Sequence, residues 1–421
     1  MSYQYHLPRF AKGCFWESIG VASKQMEISN MATKIALIFA FTLASLSAMA
    51  QNWNKTNEVR TWPDEKIPEE GHNPNLDTVR HHLKLYNNRG RSWRYVSRPA
   101  DKPKKLDFKL VDSPAIDQQL NETYLASYML YEKGNVLIDK ISPLSRFGDL
   151  IDNQTKLYSM SLGKSLIGYL TGHALCLGHI ESLDSPISDW PVVRDSLIGQ
   201  ATLRDVLNAT MGHQPYLTDN ETLKLSGRNL NQKSIFEIAS YDLADTNPGK
   251  KRFAYGQLPP NVAVNYLAFK TGLNFQEFLS EVMSNYVGLE DTLAFNHDAT
   301  LEIDGPLKSN FKATRYDTLR IGIAILNDWK ADNCVGRYLK DIYATRVTKG
   351  YKQGDGFSKS YGGFFHADYS GVSDTVLGMD GYGGIALLIN FDDERIVYTH
   401  AAHRNYNYKK IVLRVVEDGI M

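Results

Sequence analysis

The chemistry that this sequence offers begins with a serine and a lysine three residues apart, Ser161 and Lys164. A serine hydroxyl is a weak nucleophile until a neighbouring base takes its proton, and a lysine one helical turn away can take that proton or orient the group that does. Apolar residues recur at helical spacing from Leu162, and Gly178 is placed to end the helix. We therefore expect the pair on one face of the first helical turn, where unpaired backbone N–H groups favour developing negative charge.

The serine–lysine spacing alone says little, because a chain of 421 residues is expected to contain it by chance. Ser309 and Lys312 have the same spacing. We interpret that second copy as accidental and remote from the site, because the sequence around it lacks the context that surrounds the first.

The sequence blocks around and after Ser161 resemble the serine β-lactamase and penicillin-binding-protein family in order and spacing. That family includes Tyr-dependent β-lactamases, D-alanyl-D-alanine carboxypeptidases, serine esterases and 6-aminohexanoate-dimer hydrolases. The resemblance extends over roughly residues 120–400. The blocks that carry it are residues 155–165, 178–187, 201–212, 247–249, 253–257 and 286–292.

The resemblance implies that Tyr255 relays protons between Ser161, Lys164 and the leaving group. A phenol can do so near neutral pH only if a nearby ammonium favours its anion. The alternative is that Tyr255, one of 24 tyrosines, packs in the core. Gln257 stands where the family has asparagine. Gln257 is expected to present its amide to the substrate from a side chain that is one methylene longer.

The family's Lys-Thr-Gly or His-x-Gly strand aligns with Met379, Asp380 and Gly381. By resemblance, the backbone N–H of Tyr382 would complete an oxyanion hole with that of Ser161, and Gly381 would let substrate approach the strand edge. This motif contains no cation. Asp380 is expected either to discourage a carboxylate or attract a cationic group in the substrate, or to be a turn residue.

The elements that must position these residues follow an order typical of an α+β fold. A hairpin is predicted first, with its turn at residues 134–135, helices fill the middle of the chain, and strands with a final helix from Tyr408 end it. This order predicts an antiparallel sheet built from both chain ends and flanked by helices, with an inserted, mainly helical region. The predicted hydrolase domain is 106–421, with an α/β part at about 106–185 and 300–421 and a helical part at about 186–299.

Residues 1–50 are interpreted as an over-called translation start followed by a signal peptide. Lys34 precedes an apolar run from Ile35, and the small residues 48–50 form a cleavage site before Gln51. A buried helix or an uncleaved anchor is the alternative. The sequence thus predicts export to the periplasm or the medium, with residues 51–105 as an extended lead-in.

The charged residues, histidines and cysteines limit the kinds of partner and cofactor to be expected. Lys plus Arg and Asp plus Glu both number 47, which gives no reason to expect nucleic acid or an acidic membrane. We expect no membrane span in the mature chain. His400 and His403 have no third ligand nearby, so no metal is expected. Cys176 falls in the apolar register of a helix and is interpreted as a buried thiol, although an oxidising compartment would permit a bridge to Cys334.

The sequence therefore predicts an exported serine hydrolase that cleaves an ester, amide or peptide bond of a small molecule without a cofactor. Two alternatives stay open. One is a D-amino-acid peptidase or β-lactamase acting on cell-wall-like substrates. The other is a non-catalytic binding protein that retains the fold. Neither the natural substrate nor the oligomeric state follows from the sequence.

Overall fold

The structure, a computed structural model, describes residues 93–213, 233–272, 275–297, 307–350, 357–401 and 406–420. The interpreted signal peptide and most of the lead-in lie outside the described residues. The strands are β1 Trp93–Val96, β2 Asp107–Phe108, β3 Leu125–Glu132, β4 Asn135–Ile141, β5 Leu157–Tyr158, β6 Ala294–His297, β7 Leu307–Ala313, β8 Val347–Thr348, β9 Ser358–Gly362, β10 Phe365–Tyr369, β11 Val376–Gly381, β12 Ile385–Asn390 and β13 Arg395–Ala401.

The helices lie mostly between the early and the late strands. They are α1 Pro114–Glu122, α2 Leu162–Cys176, α3 Leu197–Gln200, α4 Leu203–Leu207, α5 Ile235–Glu237, α6 Leu258–Thr271, α7 Phe275–Ser280, α8 Arg315–Ala331, α9 Cys334–Ala344 and α10 Lys409–Asp418. Wider, π-type turns occupy Leu144–Gly148, Ile238–Asp242 and Glu281–Val287.

The larger sheet joins the two ends of the described chain. Its nine strands follow the order β2-β4-β3-β13-β12-β11-β10-β9-β8. Strand β3, early in the sequence, pairs antiparallel with β13, late in the sequence, from Glu132 opposite Arg395 to Leu125 opposite Ala401. The predicted α+β fold, with an antiparallel sheet assembled from both ends of the domain, is confirmed.

A smaller sheet of four strands, in the order β1-β6-β7-β5, lies next to the start of α2. Strand β1 belongs to the expected lead-in and pairs with β6. Strand β7, which carries Ser309, pairs with β5 just before Ser161. Strands β1, β6 and β7 were not predicted from the sequence, because each depends on pairing with distant segments rather than on its own alternation of apolar residues.

Helix α2 is the central helix of the fold. Every side chain from Leu162 to Ala174 is buried, so the helix is enclosed on all sides. Its glycines permit close approach: a methyl group at Gly168 would lie 2.0 Å from the carbonyl oxygen of Gly363, and one at Gly172 would lie 2.4 Å from the Tyr338 ring. Neighbouring elements therefore fix the position of α2 closely.

Cys176 and Cys334 form a disulfide, so the interpretation of Cys176 as a free thiol was wrong. Cys176 is the last residue of α2 and Cys334 the first of α9. The helical register of Cys176 was judged correctly, but it holds no information on which distant helix end packs beside it. Within the described ranges, no helix is long and apolar enough to cross a membrane.

Candidate active site

Ser161 follows a sharp turn between β5 and α2. The residue before it, Met160, has a φ of 49°, a left-handed conformation that non-glycine residues rarely adopt. Ser159 holds one side of this turn, donating its N–H to the Phe311 carbonyl and accepting the Phe311 N–H on its Oγ, both at 2.9 Å. The Asn310 amide donates to the Met160 carbonyl at 2.8 Å. These bonds to β7 hold the strained turn and fix Ser161 as the N-cap of α2.

Strand β7 runs directly beside the first turn of α2. A methyl group at Gly163 would lie 2.0 Å from the Ser309 carbonyl oxygen, so the helix and strand meet only because residue 163 is glycine. Ser309 is fully buried, and its Oγ donates to Gln257 Oε1 at 3.3 Å. Ser309 and Lys312 lie on a strand, where residues three apart point to opposite faces, so they form no catalytic pair. The expectation that Ser309 is remote from the site was wrong.

Three residues singled out from the sequence come together at the head of α2. Lys164 Nζ donates to Ser161 Oγ at 2.9 Å, and Lys164 is only 1% exposed. The same Nζ lies 4.8 Å from the centroid of the Tyr255 ring. Tyr255 is 41% exposed, so the group opens to solvent on the side of the phenol. The arrangement places a buried ammonium in contact with both a hydroxyl and an aromatic ring.

Aromatic rings hold Tyr255 in place. Its centroid lies 6.2 Å from that of Phe253 and 6.0 Å from that of Tyr361. Burial, together with nearby Tyr255 and Asp380, raises the pKa of Tyr361 well above its ordinary value. Tyr361 is therefore a neutral packing partner for the phenol of Tyr255.

His366, on β10, is a site residue that the sequence analysis missed. Its ring centroid lies 6.2 Å from that of Tyr255, and its Nδ1 lies 2.7 Å from Lys349 Nζ and 3.0 Å from Ser358 Oγ. Burial, then Lys349, then Lys164 hold the pKa of His366 well below its usual value. No motif marks this histidine in the sequence, because β9 and β10 bring it to the site only through sheet pairing.

Gly381 lies where the third motif was expected, at the end of β11 nearest the serine. A methyl group on it would lie 2.8 Å from the Ser159 carbonyl oxygen, so the strand end packs against the turn that precedes Ser161. Gly383 and Gly384, with φ of 94° and 85°, form the tight turn into β12. Tyr382, half exposed, starts that turn and lies next to the closely packed Gly381.

Asp380 lies within the ladder between β11 and β12, so the interpretation of it as a turn residue was wrong. Successive strand residues face opposite sides of a sheet. Gly381 faces the turn before α2, so Asp380 faces the other side of the sheet. There its Oδ1 accepts a hydrogen bond from the Tyr408 hydroxyl at 2.5 Å. Tyr408 belongs to the apolar cluster under α10. One carboxylate oxygen of Asp380 is thus used in packing the C-terminal segment.

No family model and no curated protein matches this sequence. Among solved structures, a Bacillus anthracis protein assigned as a 6-aminohexanoate-dimer hydrolase has 15% identity and a TM-score of 0.59, over 84% of this chain and 98% of that one. A penicillin-binding protein from Bacillus halodurans has 14% identity and a TM-score of 0.50, over 69% and 97%. A class C β-lactamase from Rhodobacter sphaeroides has 14% identity and a TM-score of 0.50, over 69% of this chain and 93% of that one. The chain has the serine β-lactamase and penicillin-binding-protein fold. The resemblance seen in the sequence blocks is confirmed at the level of the fold.

Within this β-lactamase-like fold, the site combines groups from distant parts of the chain. The serine and lysine occupy the head of the central helix, and Tyr255 lies beside them. Strand β11 has Met379 and Asp380 at the motif positions and no cation there. A cation is supplied instead by Lys349, which follows β8 and contacts His366. No group of three or more His, Cys, Asp or Glu side chains in the described ranges could hold a metal ion, and His403 lies outside those ranges.

Proposed function

We propose that this protein is a serine hydrolase that cleaves an ester or amide bond through an acyl-enzyme on Ser161. The observation that carries the proposal is the 2.9 Å hydrogen bond between a buried Lys164 ammonium and the Ser161 hydroxyl, under the exposed Tyr255 ring. Burying a charge is costly, and a protein that only needed to fold would gain little by placing it against a hydroxyl. A nucleophilic hydroxyl within hydrogen-bond reach of a possible base is the arrangement that nucleophilic catalysis requires.

The proposed reaction has two acyl-transfer steps. Ser161 Oγ attacks the carbonyl carbon while its proton passes to the Lys164–Tyr255 pair, where the ammonium favours the phenolate. The backbone N–H groups of Ser161 and Tyr382 would donate to the oxyanion. The pair then protonates the departing alcohol or amine. Water next attacks the acyl carbon, gives its proton to the same pair, and releases the acid as Ser161 regains its hydrogen.

A D-amino-acid peptidase or β-lactamase is a second candidate, favoured by the similarity to penicillin-binding-protein and β-lactamase structures. Met379 counts against it, because β11 then offers no cation to the carboxylate of penicillin-type substrates. Turnover of a chromogenic cephalosporin without turnover of simple esters would favour this candidate over an esterase or amidase.

A non-catalytic binding protein is a third candidate, suggested by Gln257 and by the altered third motif. It predicts a folded chain that binds small molecules beside Ser161 and hydrolyses none. The strained turn at Met160, maintained by several hydrogen bonds, favours an enzyme, since backbone strain of this kind is concentrated at functional sites.

The test is a screen of p-nitrophenyl esters, short anilides and β-lactams with the purified chain. We expect hydrolysis of at least one ester or amide, complete loss in Ser161→Ala, and a reduction of kcat by about 10²- to 10⁴-fold in Tyr255→Phe. Hydrolysis that persists unchanged in Ser161→Ala would reject Ser161 as the nucleophile.

We also propose that the enzyme acts outside the cytoplasm. The interpreted leader motivates this, and the Cys176–Cys334 disulfide supports it because oxidising compartments preserve such bonds. N-terminal sequencing of protein from the periplasm or medium of an expressing bacterium should begin at Gln51. Recovery only in the cytosol, with residues before 51 intact, would reject export.

A further inference from the structure

The polar cluster of Lys349, Ser358 and His366 lies beside the proposed catalytic residues but has no role in the reaction described so far. Lys349 and Ser358 are 6% and 1% exposed, and both contact Nδ1 of His366, Lys349 at 2.7 Å and Ser358 at 3.0 Å. Lys349 Nζ also contacts Ser358 Oγ. Two polar groups thus converge on one nitrogen of the imidazole.

The hydrogen-bond chemistry of this cluster determines which ring nitrogen carries the proton. An ammonium has three donors and no acceptor, so Nδ1 of His366 must accept from Lys349. A neutral imidazole with Nδ1 as acceptor carries its hydrogen on Nε2. Burial and two neighbouring ammonium groups, Lys349 and Lys164, keep the ring neutral by lowering its pKa. Lys349 therefore fixes His366 as an Nε2–H donor.

The Nε2–H group of His366 has no hydrogen-bond partner among the residues that the structure describes. The ring lies 6.2 Å from that of Tyr255, whose exposed phenol marks the open side of the site. A fixed donor is thus left over beside the proposed reacting groups. Because two ammonium groups act on this ring, the surrounding potential favours an anionic acceptor over a neutral one.

We propose that His366 is a specificity-determining residue, whose Nε2–H binds a carboxylate carried by the acyl part of the substrate. Strand β11 offers Met379 and no cation, and one oxygen of the Asp380 carboxylate is engaged by Tyr408, so the two ammonium groups beside His366 are the charges that favour an anion there. The substrate class is therefore an ester or amide of a dicarboxylic acid or similar anionic acyl group. This inference rests on the proposed function, since it names the substrate of the same site.

The kinetic test compares two esters of equal chain length, p-nitrophenyl hydrogen glutarate and p-nitrophenyl pentanoate. The wild type should prefer the carboxylate ester in kcat/KM. In His366→Leu the ratio of the two kcat/KM values should fall by about 10- to 100-fold, mainly through KM, as expected for a lost hydrogen bond to a charged group. His366→Gln, which keeps an N–H near the Nε2 position, should recover part of the ratio.

His179→Leu is the matched control, because His179 packs edge-on against Phe278 in another part of the chain. It should leave the ratio of the two esters at the wild-type value. An unchanged ratio in His366→Leu, or a wild type that prefers the neutral ester, would overturn the proposal.

A binding measurement separates failure of this inference from failure of the proposed function. In ¹⁵N-histidine NMR of the Ser161→Ala protein, His366, assigned through His366→Gln, should be the neutral Nε2–H tautomer at pH 7, and glutarate should shift its Nε2 resonance. A shift with no hydrolysis by the wild type would reject the hydrolase while supporting the carboxylate site. An Nδ1–H tautomer, an imidazolium, or no response to glutarate would reject the site even if esters are hydrolysed.

Discussion

The two ends of helix α2 both carry buried polar groups, but they differ in what those groups face. At the C-terminal end, Asp328 from α8 is 2% exposed and accepts hydrogen bonds from Tyr169 at 2.6 Å, from Asn333 at 2.8 Å and from Tyr286. At the N-terminal end, Lys164 donates to Ser161 beneath an exposed tyrosine.

A structural polar cluster and a reactive one can be separated by what their polar groups are paired with. Around Asp328 three donors meet one carboxylate, from the buried Tyr169, from Asn333 and from Tyr286, whose ring is itself 48% exposed. Around Ser161 the Tyr255 and Tyr382 rings are exposed, and His366 keeps an unused donor. Each end thus has a buried ionisable group and an exposed tyrosine, and the difference lies in the pairing: a carboxylate that holds three donors at one end, an ammonium against a nucleophilic hydroxyl at the other.

The largest expected effect comes from Lys164→Met. Removing the ammonium should reduce kcat/KM by about 10²- to 10⁴-fold, because neither the serine nor the tyrosine is then activated. The free energy of unfolding should stay the same or rise, since a buried charge is replaced by an apolar chain of similar volume. Ester hydrolysis and urea denaturation measure the two quantities.

Lys233→Met is the control for that variant, because Lys233 is a buried lysine of the structural kind, paired with Asp242 at 2.6 Å. Its loss leaves an unpaired buried carboxylate and should cost about 3–5 kcal/mol of stability. If Lys164→Met were the destabilised variant and kept its activity, the distinction between the two lysines would be wrong.

At the other end of α2, Asp328→Ala should destabilise the protein by about 3 kcal/mol while the surviving folded protein keeps its kcat. The fully buried Tyr169 hydroxyl loses its acceptor, and an unsatisfied buried donor is costly. Urea midpoints and kcat measured well below the midpoint test this. A loss of kcat that matches that of Lys164→Met would show that the two ends are coupled.

Replacing both bridging cysteines, Cys176→Ser with Cys334→Ser, should lower the free energy of unfolding by about 2–5 kcal/mol. The disulfide closes a long loop, with 158 residues of separation, and restricts the unfolded chain. Kinetic constants at 25 °C should not change. Equal thermal stability of the double variant and the oxidised wild type would show that the disulfide does not stabilise the protein.

The last prediction concerns the dependence of stability on pH. Burial lowers the pKa of His173, His213 and His400 to about 4, whereas an unfolded histidine takes up its proton near pH 6.5. Stability is therefore full above about pH 6.5 and falls as the pH decreases towards 4, by up to about 1.4 kcal/mol per pH unit for each histidine. Urea midpoints between pH 7.5 and 4.5 should show this slope, and His400→Gln should reduce it. A flat profile would contradict the burial of these rings.

The sequence was sufficient for those parts of the molecule that are local or that follow a motif. Helix α2, with its N-cap at Ser161, and the hairpin of β3 and β4 come from periodicity and turn residues. The blocks around Ser161 and Tyr255 were enough to identify the fold. Features that depend on long-range packing could not be predicted from the sequence. These are the Cys176–Cys334 bridge, the closeness of Ser309 to the site, and the presence of His366 beside Tyr255.

Asp380 illustrates the limit most clearly. From the sequence it was either a turn residue or a charge facing the substrate, and both interpretations treated it in isolation. Its side is set by the pairing of β11 with β12, and its partner Tyr408 comes from the C-terminal segment. Motif alignment gives the position of a residue along a strand, but the face that it presents depends on the sheet.

In the proposed mechanism, the head of α2 activates one hydroxyl among many. The most direct measurement is to treat the folded protein with a fluorophosphonate and locate the adduct by peptide mass spectrometry. We expect a single modified residue, Ser161, and no adduct at that position in Lys164→Met under the same conditions. A folded wild type that stays unlabelled, or that is labelled at another serine, would contradict the account.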